Sequence, residues 1–188
     1  MNRIVDHLEK YCGEIVEGWN QTPNGTAEPF QVIRMEGGEV PDCVVFSTLG
    51  LSNFQLISPT SSRLLRHELL MLAKISQVPE NIGPVLQQIA DEAILNNCAY
   101  IRGQTIGPRN TIFQNSNFTT LYITVPVYFS EKFFSIETEM LGGVAFAWLM
   151  PITDRECEFI RSYGWKKFED RLGELNPDMI DLDRASVI

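Results

Sequence analysis

Seven consecutive apolar residues, Val144-Ala145-Phe146-Ala147-Trp148-Leu149-Met150, constrain this chain more than any other feature. Gly142-Gly143 precedes the run and Pro151 follows it, so its length and its flanks read as a strand. A strand that is apolar at every position needs cover on both faces. Other segments must therefore supply cover on each side of the sheet. Pro151 is expected to end the strand. Just beyond it, Thr153-Asp154-Arg155-Glu156 spells a capping box, in which the Thr hydroxyl accepts from the Glu amide and the Glu carboxylate reaches back. The helix opened there is expected to stop at Gly164, the residue type favoured just past a helix C-terminus. Trp165, Phe168 and Leu172 then fall at helical spacing on another short helix.

Upstream, Ile4, Leu8, Tyr11, Cys12, Ile15 and Trp19 recur at helical spacing and predict an amphipathic helix, closed by a turn over residues 20–25. Phe30–Arg34 and Val44–Thr48 read as strands, with Gly37-Gly38 turning between them. Residues 53–62 are polar, carry Pro59 and read as loop. Leu64, Leu65, Leu69, Leu70 and Leu72 fit helix or strand by periodicity alone. Asn81 is an expected N-cap for a helix reaching about Asn97, with Pro84 in its first turn. Residues 108–116 are rich in turn formers. Leu121–Phe129 reads as a strand that Pro126 interrupts, which suggests an edge or a bulge. The order α-β-β-β-α-β-β-α-α predicts an α+β fold: one domain with a mainly antiparallel or mixed sheet flanked by helices.

At 188 residues the chain fits one domain with a full core. Its net charge of −9 opposes contact with nucleic acid or anionic lipid and draws in cationic partners. Charge of this sign suits a protein partner with a basic surface, and neither direct nucleic-acid binding nor a membrane is expected. Cys12, Cys43, Cys98 and Cys157 form no CxxC pair. The first ten residues lack an apolar signal core, and no run approaches the ~20 apolar residues of a membrane span. A cytoplasmic protein with reduced thiols is expected.

Little in the chain points to catalysis. His7 and His67 are its two histidines. A Cys–His hydrolase would pair His67 with Cys43 or Cys98, but Glu68 points to the opposite face of a strand and cannot orient the ring. No nucleophile elbow, phosphate loop or HExxH accompanies them. Asp178, Asp181 and Asp183 lack the spacing and turn glycine of a calcium loop. No enzyme, metal or cofactor is expected. Two acidic patches suit a cationic partner: Glu28, Glu36, Glu39 and Asp42, and the C-terminal acids. Affinity needs an apolar anchor as well, and loops are where such anchors vary. Phe54 and Leu56 in one loop, and Phe113 and Phe118 in or beside another, are the candidates.

Several segments together resemble suppressor-of-fused-like domains. The block Trp148-Leu149-Met150-Pro151-Ile152-Thr153-Asp154-Arg155-Glu156 is similar to a signature of that family. It continues through Gly164-Trp165 and Phe168-Glu169-Asp170 to Asp181-Leu182-Asp183-Arg184-Ala185-Ser186-Val187. Phe46-Ser47-Thr48-Leu49-Gly50-Leu51-Ser52 resembles the family's strand leading into a Gly-Leu-Ser turn. His67-Glu68-Leu69-Leu70-Met71 resembles its Glu-Leu strand, which favours strand for that segment. The resemblance covers residues 28–188, with 1–27 as a helix and turn packed on that domain. Trp148, Pro151, Thr153, Glu156, Gly164 and Trp165 are expected to be scaffold, not site.

The resemblance implies a binding domain without known catalytic activity. Eukaryotic relatives grip a short segment of a transcription factor; bacterial relatives are commonly immunity proteins that neutralise a toxin, often a nuclease. The second domain and acidic insert of the eukaryotic form have no counterpart here, which favours the bacterial reading. The alternatives are a regulatory peptide-binding scaffold and a small Cys/His hydrolase.

Overall fold

The computed structural model describes residues 3–21, 25, 27–114 and 116–188. Its centre is strand β10 (Gly142–Thr153), which contains the seven-residue apolar run. Val144, Phe146, Trp148, Met150 and Ile152 belong to one core cluster, and Leu149 to a second with Ala147 packed against it. The alternation is that of a strand buried on both faces. On the first face lie α1 (Arg3–Cys12), α3 (Asp154–Tyr163) and α4 (Trp165–Leu175); α2 (Ile82–Leu95) covers the other. The result is an α+β domain of three layers.

The sheet is mixed. Its order is β1 (Gly13–Gln21), β2 (Ala27–Gly37), β3 (Cys43–Leu49), β6 (His67–Lys74), β10, β8 (Phe118–Thr124) and β7 (Thr105–Ile106), and β9 (Ser135–Thr138) adds to β10. Only the β6–β10 pair among the described residues is parallel. A separate two-strand ribbon, β4 (Leu56–Ile57) with β5 (Leu64–Leu65), precedes β6. The ribbon occupies part of the segment read as loop.

The N-terminal helix stops at Cys12, and Ile15 and Trp19 lie on edge strand β1. Gly13 makes the switch at φ 89, where a Cβ would fall 2.0 Å from the Glu36 carbonyl oxygen, so only glycine fits. Residues 20 and 21 of the expected closing turn belong to β1, residues 22–24 lie outside the described residues, and so does the Glu28 side chain. Asn81 precedes α2 but does not cap it with its side chain; its Nδ2 donates instead to the Ile112 carbonyl at 2.8 Å. Strand β8 ends at Thr124 and is flanked by β10 and β7, so Pro126 falls beyond the strand and not within it.

Pro151 does not end its strand either: it sits within β10, opposite Leu121 of β8. The pairing of β10 with β6 ends at Trp148, so that side of the strand is open at Pro151. The Pro151 carbonyl accepts from Arg184 Nη2 at 3.1 Å and so points away from β8. In a strand the nitrogen of the same residue faces the same side, where no ladder bond is lost.

Candidate functional site

Two ends of the sheet gather the polar chemistry. At one end, Leu51–Asn53 makes a single 3₁₀ turn directly after β3, entered through Gly50 at φ 108. Glu68, the second residue of β6 and fully buried, holds this turn. Its Oε1 accepts from the Gly50 N–H at 2.9 Å, the Ser52 N–H at 3.2 Å and Ser52 Oγ at 2.7 Å. Its Oε2 accepts from Thr48 Oγ1 at 2.6 Å. Burial pushes the Glu68 carboxyl above its ordinary value, against the four hydrogen bonds that pull it down. Arg66 grips the other end of the turn: its Nη1 donates to the Ser52 and Asn53 carbonyls, each at 2.7 Å. An arginine and a buried glutamate two residues apart thus clamp the turn at its carbonyl and amide ends.

The clamped turn stands between two clefts. One, of about 980 Å³, lies between Gly50–Asn53, the start of β2, the N-terminus of α1 and the β9–β10 hairpin tip. The other, of about 480 Å³, has Arg66 in its wall together with β5 and residues 100–102.

At the opposite end of the sheet Glu36, Glu39 and Asp42 meet the C-terminal acids, whereas the backbone of Glu28, at the start of β2, lies at the other end. Glu36 is the last residue but one of β2, and Glu39 and Asp42 lie in the turn to β3. Cys43 pairs in register with Lys74, whose ammonium binds Asp178 at 2.8 Å and Asp181 at 2.7 Å. The Asp42 carbonyl accepts from Ile75 N at 2.9 Å. Gln77 ties Asp183 and Asp181 to the same spot, and Lys74 with its neighbours holds the Asp181 carboxyl at about 2. The C-terminal acids are therefore tail anchors as well as surface charge.

Within the Trp148–Glu156 block, Trp148, Thr153 and Glu156 make structural contacts, while Asp154 and Arg155 are exposed. Trp148 is buried, and the capping box is complete, with Thr153 N donating to Glu156 Oε2 at 2.8 Å and Glu156 N to Thr153 Oγ1 at 3.3 Å. Arg184 forms a bidentate pair with Glu156 at 2.7 and 3.0 Å, and Val187 N donates to the same carboxylate at 3.1 Å. Gly164 ends α3, and the Trp165 indole packs so closely on Gly103 that a Cβ there would lie 2.6 Å from the ring.

The family model for the suppressor of fused protein matches residues 26–185, which include the Glu68 clamp and the Glu156–Arg184 clasp. The chain belongs to the suppressor of fused family. A suppressor of fused homologue from Neisseria gonorrhoeae shares the fold at a TM-score of 0.75 and 22% identity, over 98% of this chain and 94% of that one. The protein in a Sufu–Fu complex aligns at 0.71 and 18% identity, over 98% and 91%. Drosophila Suppressor of Fused aligns at 0.70 and 16% identity, over 98% of this chain and 50% of its own. None of the curated proteins compared matches the chain. Suppressor of fused folds are protein-interaction domains, so this chain carries an interaction fold.

Within this member, the expected anchors divide. Leu56, Phe113 and Phe118 are buried in the core, 2% exposed or less, because they cover α2 and the second face of the sheet. They offer a partner no surface. Phe54 is half-buried beside the clamped turn. Glu39 and Asp42 are exposed, and Glu36 pairs with Arg34. The hydrolase pairing is not assembled: His67 Nε2 has no hydrogen-bond partner among the described residues, and burial pushes the Cys43 thiol up to about 12. Both clamps escaped the sequence reading. A charged residue inside the run His-Glu-Leu-Leu-Met-Leu was the available signal, since a buried carboxylate must be satisfied. No helix among the described residues is long and apolar enough to cross a membrane.

Proposed function

We propose that this chain is a cytoplasmic immunity protein that binds a cognate bacterial toxin, such as a nuclease, and blocks it directly. The observation that carries the reading is the convergence of Glu36, Glu39, Asp42, Asp178, Asp181 and Asp183 at one end of the sheet. Family membership supports binding over catalysis. Opposite charge raises the encounter rate with a basic surface, and a nuclease has such a surface because it must neutralise phosphates. Phe54 remains the candidate anchor of the four proposed from sequence. The test measures association with the toxin encoded beside this gene, at low and high salt. A variant with Glu36→Gln, Glu39→Gln and Asp42→Asn should associate about tenfold more slowly at low salt and like the parent at high salt. Phe54→Ala should raise the dissociation rate at both. Salt-independent association with both variants behaving as the parent would overturn the reading.

A regulatory scaffold that holds a peptide is the second reading, favoured by the about 980 Å³ cleft beside the clamped turn. Retention of a host peptide, with no protection against the toxin, would select it.

A further inference from the structure

The smaller cleft has a composition unlike the rest of this acidic chain. Its floor runs along Gly143, Ala145 and Ala147 of β10, three small residues that leave a trough in the face of the sheet covered elsewhere by α2. Leu64, Leu65, Ile101, Ile123, Val125 and Phe134 make its walls. His67, in register with Ala145, lines the trough while only 3% exposed, and its Nε2 has no hydrogen-bond partner among the described residues. Orphaned polar atoms of this kind are rare in native interiors and call for a partner. Burial holds the imidazole neutral by lowering its pKa to about 4, so Nε2 acts as a single donor or acceptor at neutral pH.

Charge around the trough is polarised. The lining holds Arg66 and Arg102 and no carboxylate, in a chain of net charge −9. Arg102 is shared with Glu169, but Arg66 makes no ion pair among the described residues and spends one nitrogen on the turn carbonyls. At the far end the Glu137 side chain folds over Gly143, its Oε1 2.9 Å from where a Cβ would stand. An anion is therefore favoured beside His67 and Arg66 and disfavoured beside Glu137, which orients any bound acid along the trough. A volume of about 480 Å³ with mainly apolar walls and polar groups gathered toward Arg66 and Arg102 matches a small-molecule site.

We propose that this trough binds a small organic acid, its carboxylate against His67 and Arg66 and its apolar body along Ala145 and Ala147. The site is separate from the acidic end invoked for a toxin, and its failure would leave that reading untouched. The test uses the full chain with ¹⁵N-labelled histidine, titrated with 3-phenylpropionate, octanoate, 3-phenylpropionamide and N-acetyl-Leu-Phe. His7, whose Nε2 contacts the Phe133 carbonyl at 3.1 Å, is the internal control. At least one of the two small acids should shift the His67 ring nitrogens and leave His7 in place, and 3-phenylpropionamide should bind at least tenfold more weakly than its acid. Ala147→Leu, which fills the trough and keeps every polar group, should weaken the acid at least tenfold in a variant whose amide spectrum stays native-like. His67→Phe should do the same by fluorescence or calorimetry. Equal binding of amide and acid, indifference to Ala147→Leu, or a response to N-acetyl-Leu-Phe alone would each overturn the assignment. So would no response to any of the four at millimolar concentration.

Discussion

Glu68 and Ser52, sixteen positions apart, are joined twice: one carboxylate oxygen accepts both the Ser52 N–H at 3.2 Å and its hydroxyl at 2.7 Å. The family's Gly-Leu-Ser and Glu-Leu segments are thus two halves of one clamp, and the turn between the two clefts depends on a carboxylate beneath it. Glu68→Ala orphans the Gly50 and Ser52 amides and two hydroxyls, and should cost about 3 kcal/mol or more. Glu68→Gln keeps the oxygen that accepts three of the four bonds, and should cost about 1 kcal/mol. Urea unfolding of both variants checks the ranking, with hydrogen exchange at Gly50 and Ser52 as the local readout. Equal costs would mean that the hydrogen bonds do not hold the turn.

The second clasp predicts a sharper asymmetry. Glu156 is buried with Arg184 as its bidentate partner, and the Arg184 guanidinium also lies over the Phe118 ring at 5.1 Å. Arg184→Met leaves that carboxylate uncompensated and should cost about 3–5 kcal/mol. Replacing both, as Glu156→Met with Arg184→Met, should cost less than the two single changes together, because the orphaned charge is gone. Thr153→Ala removes one cap acceptor and should cost about 1 kcal/mol. Thermal unfolding of the four proteins measures the coupling; strict additivity would contradict the clasp.

Lys74 predicts a local effect. Its ammonium holds Asp178 and Asp181, and the backbone of the tail returns the contact, with Lys74 N donating to the Ile180 carbonyl at 3.4 Å. Lys74→Met should speed amide exchange at Asp181 and Asp183 by about tenfold while the core amides of β10 keep their protection. Uniform change across the sheet would show that the tail is not an independent unit.

The covered strand, the capping box and the helix stop at Gly164 were legible because each is decided by neighbours in sequence. Ile15 and Trp19 misled because strand β1 happens to continue the helical spacing of α1; the decisive residue was Gly13, whose need for positive φ arises from the distant Glu36 carbonyl. Pro151 misled for a similar reason: its tolerance depends on where β6 stops pairing with β10. Phe113 and Phe118 looked available because they sit in or beside turn-rich sequence, yet α2 needs them as core. The two clamps join residues 16 and 28 positions apart in the chain, a range at which local pattern carries no information.

The folded chain holds His67 neutral, with its pKa lowered to about 4 by burial, whereas an unfolded histidine titrates near its ordinary 6.5. Between those values the unfolded state binds the extra proton and the folded state does not. Stability from this group is therefore complete above about pH 6.5 and is lost as pH falls toward 4. A shift of that size sets an upper bound of about 3 kcal/mol across the window. His7 is also lowered by burial and adds a contribution of the same sign. Glu68 works the other way: its raised carboxyl pKa means the folded state keeps a proton that the unfolded state releases, so its contribution falls as pH rises from about 4.5. Urea midpoints of the parent should thus rise from pH 4 to 6.5, and His67→Phe should flatten that rise without abolishing it. A His67→Phe curve parallel to the parent would show that the ring titrates normally in the folded chain, and so that it is not buried as described.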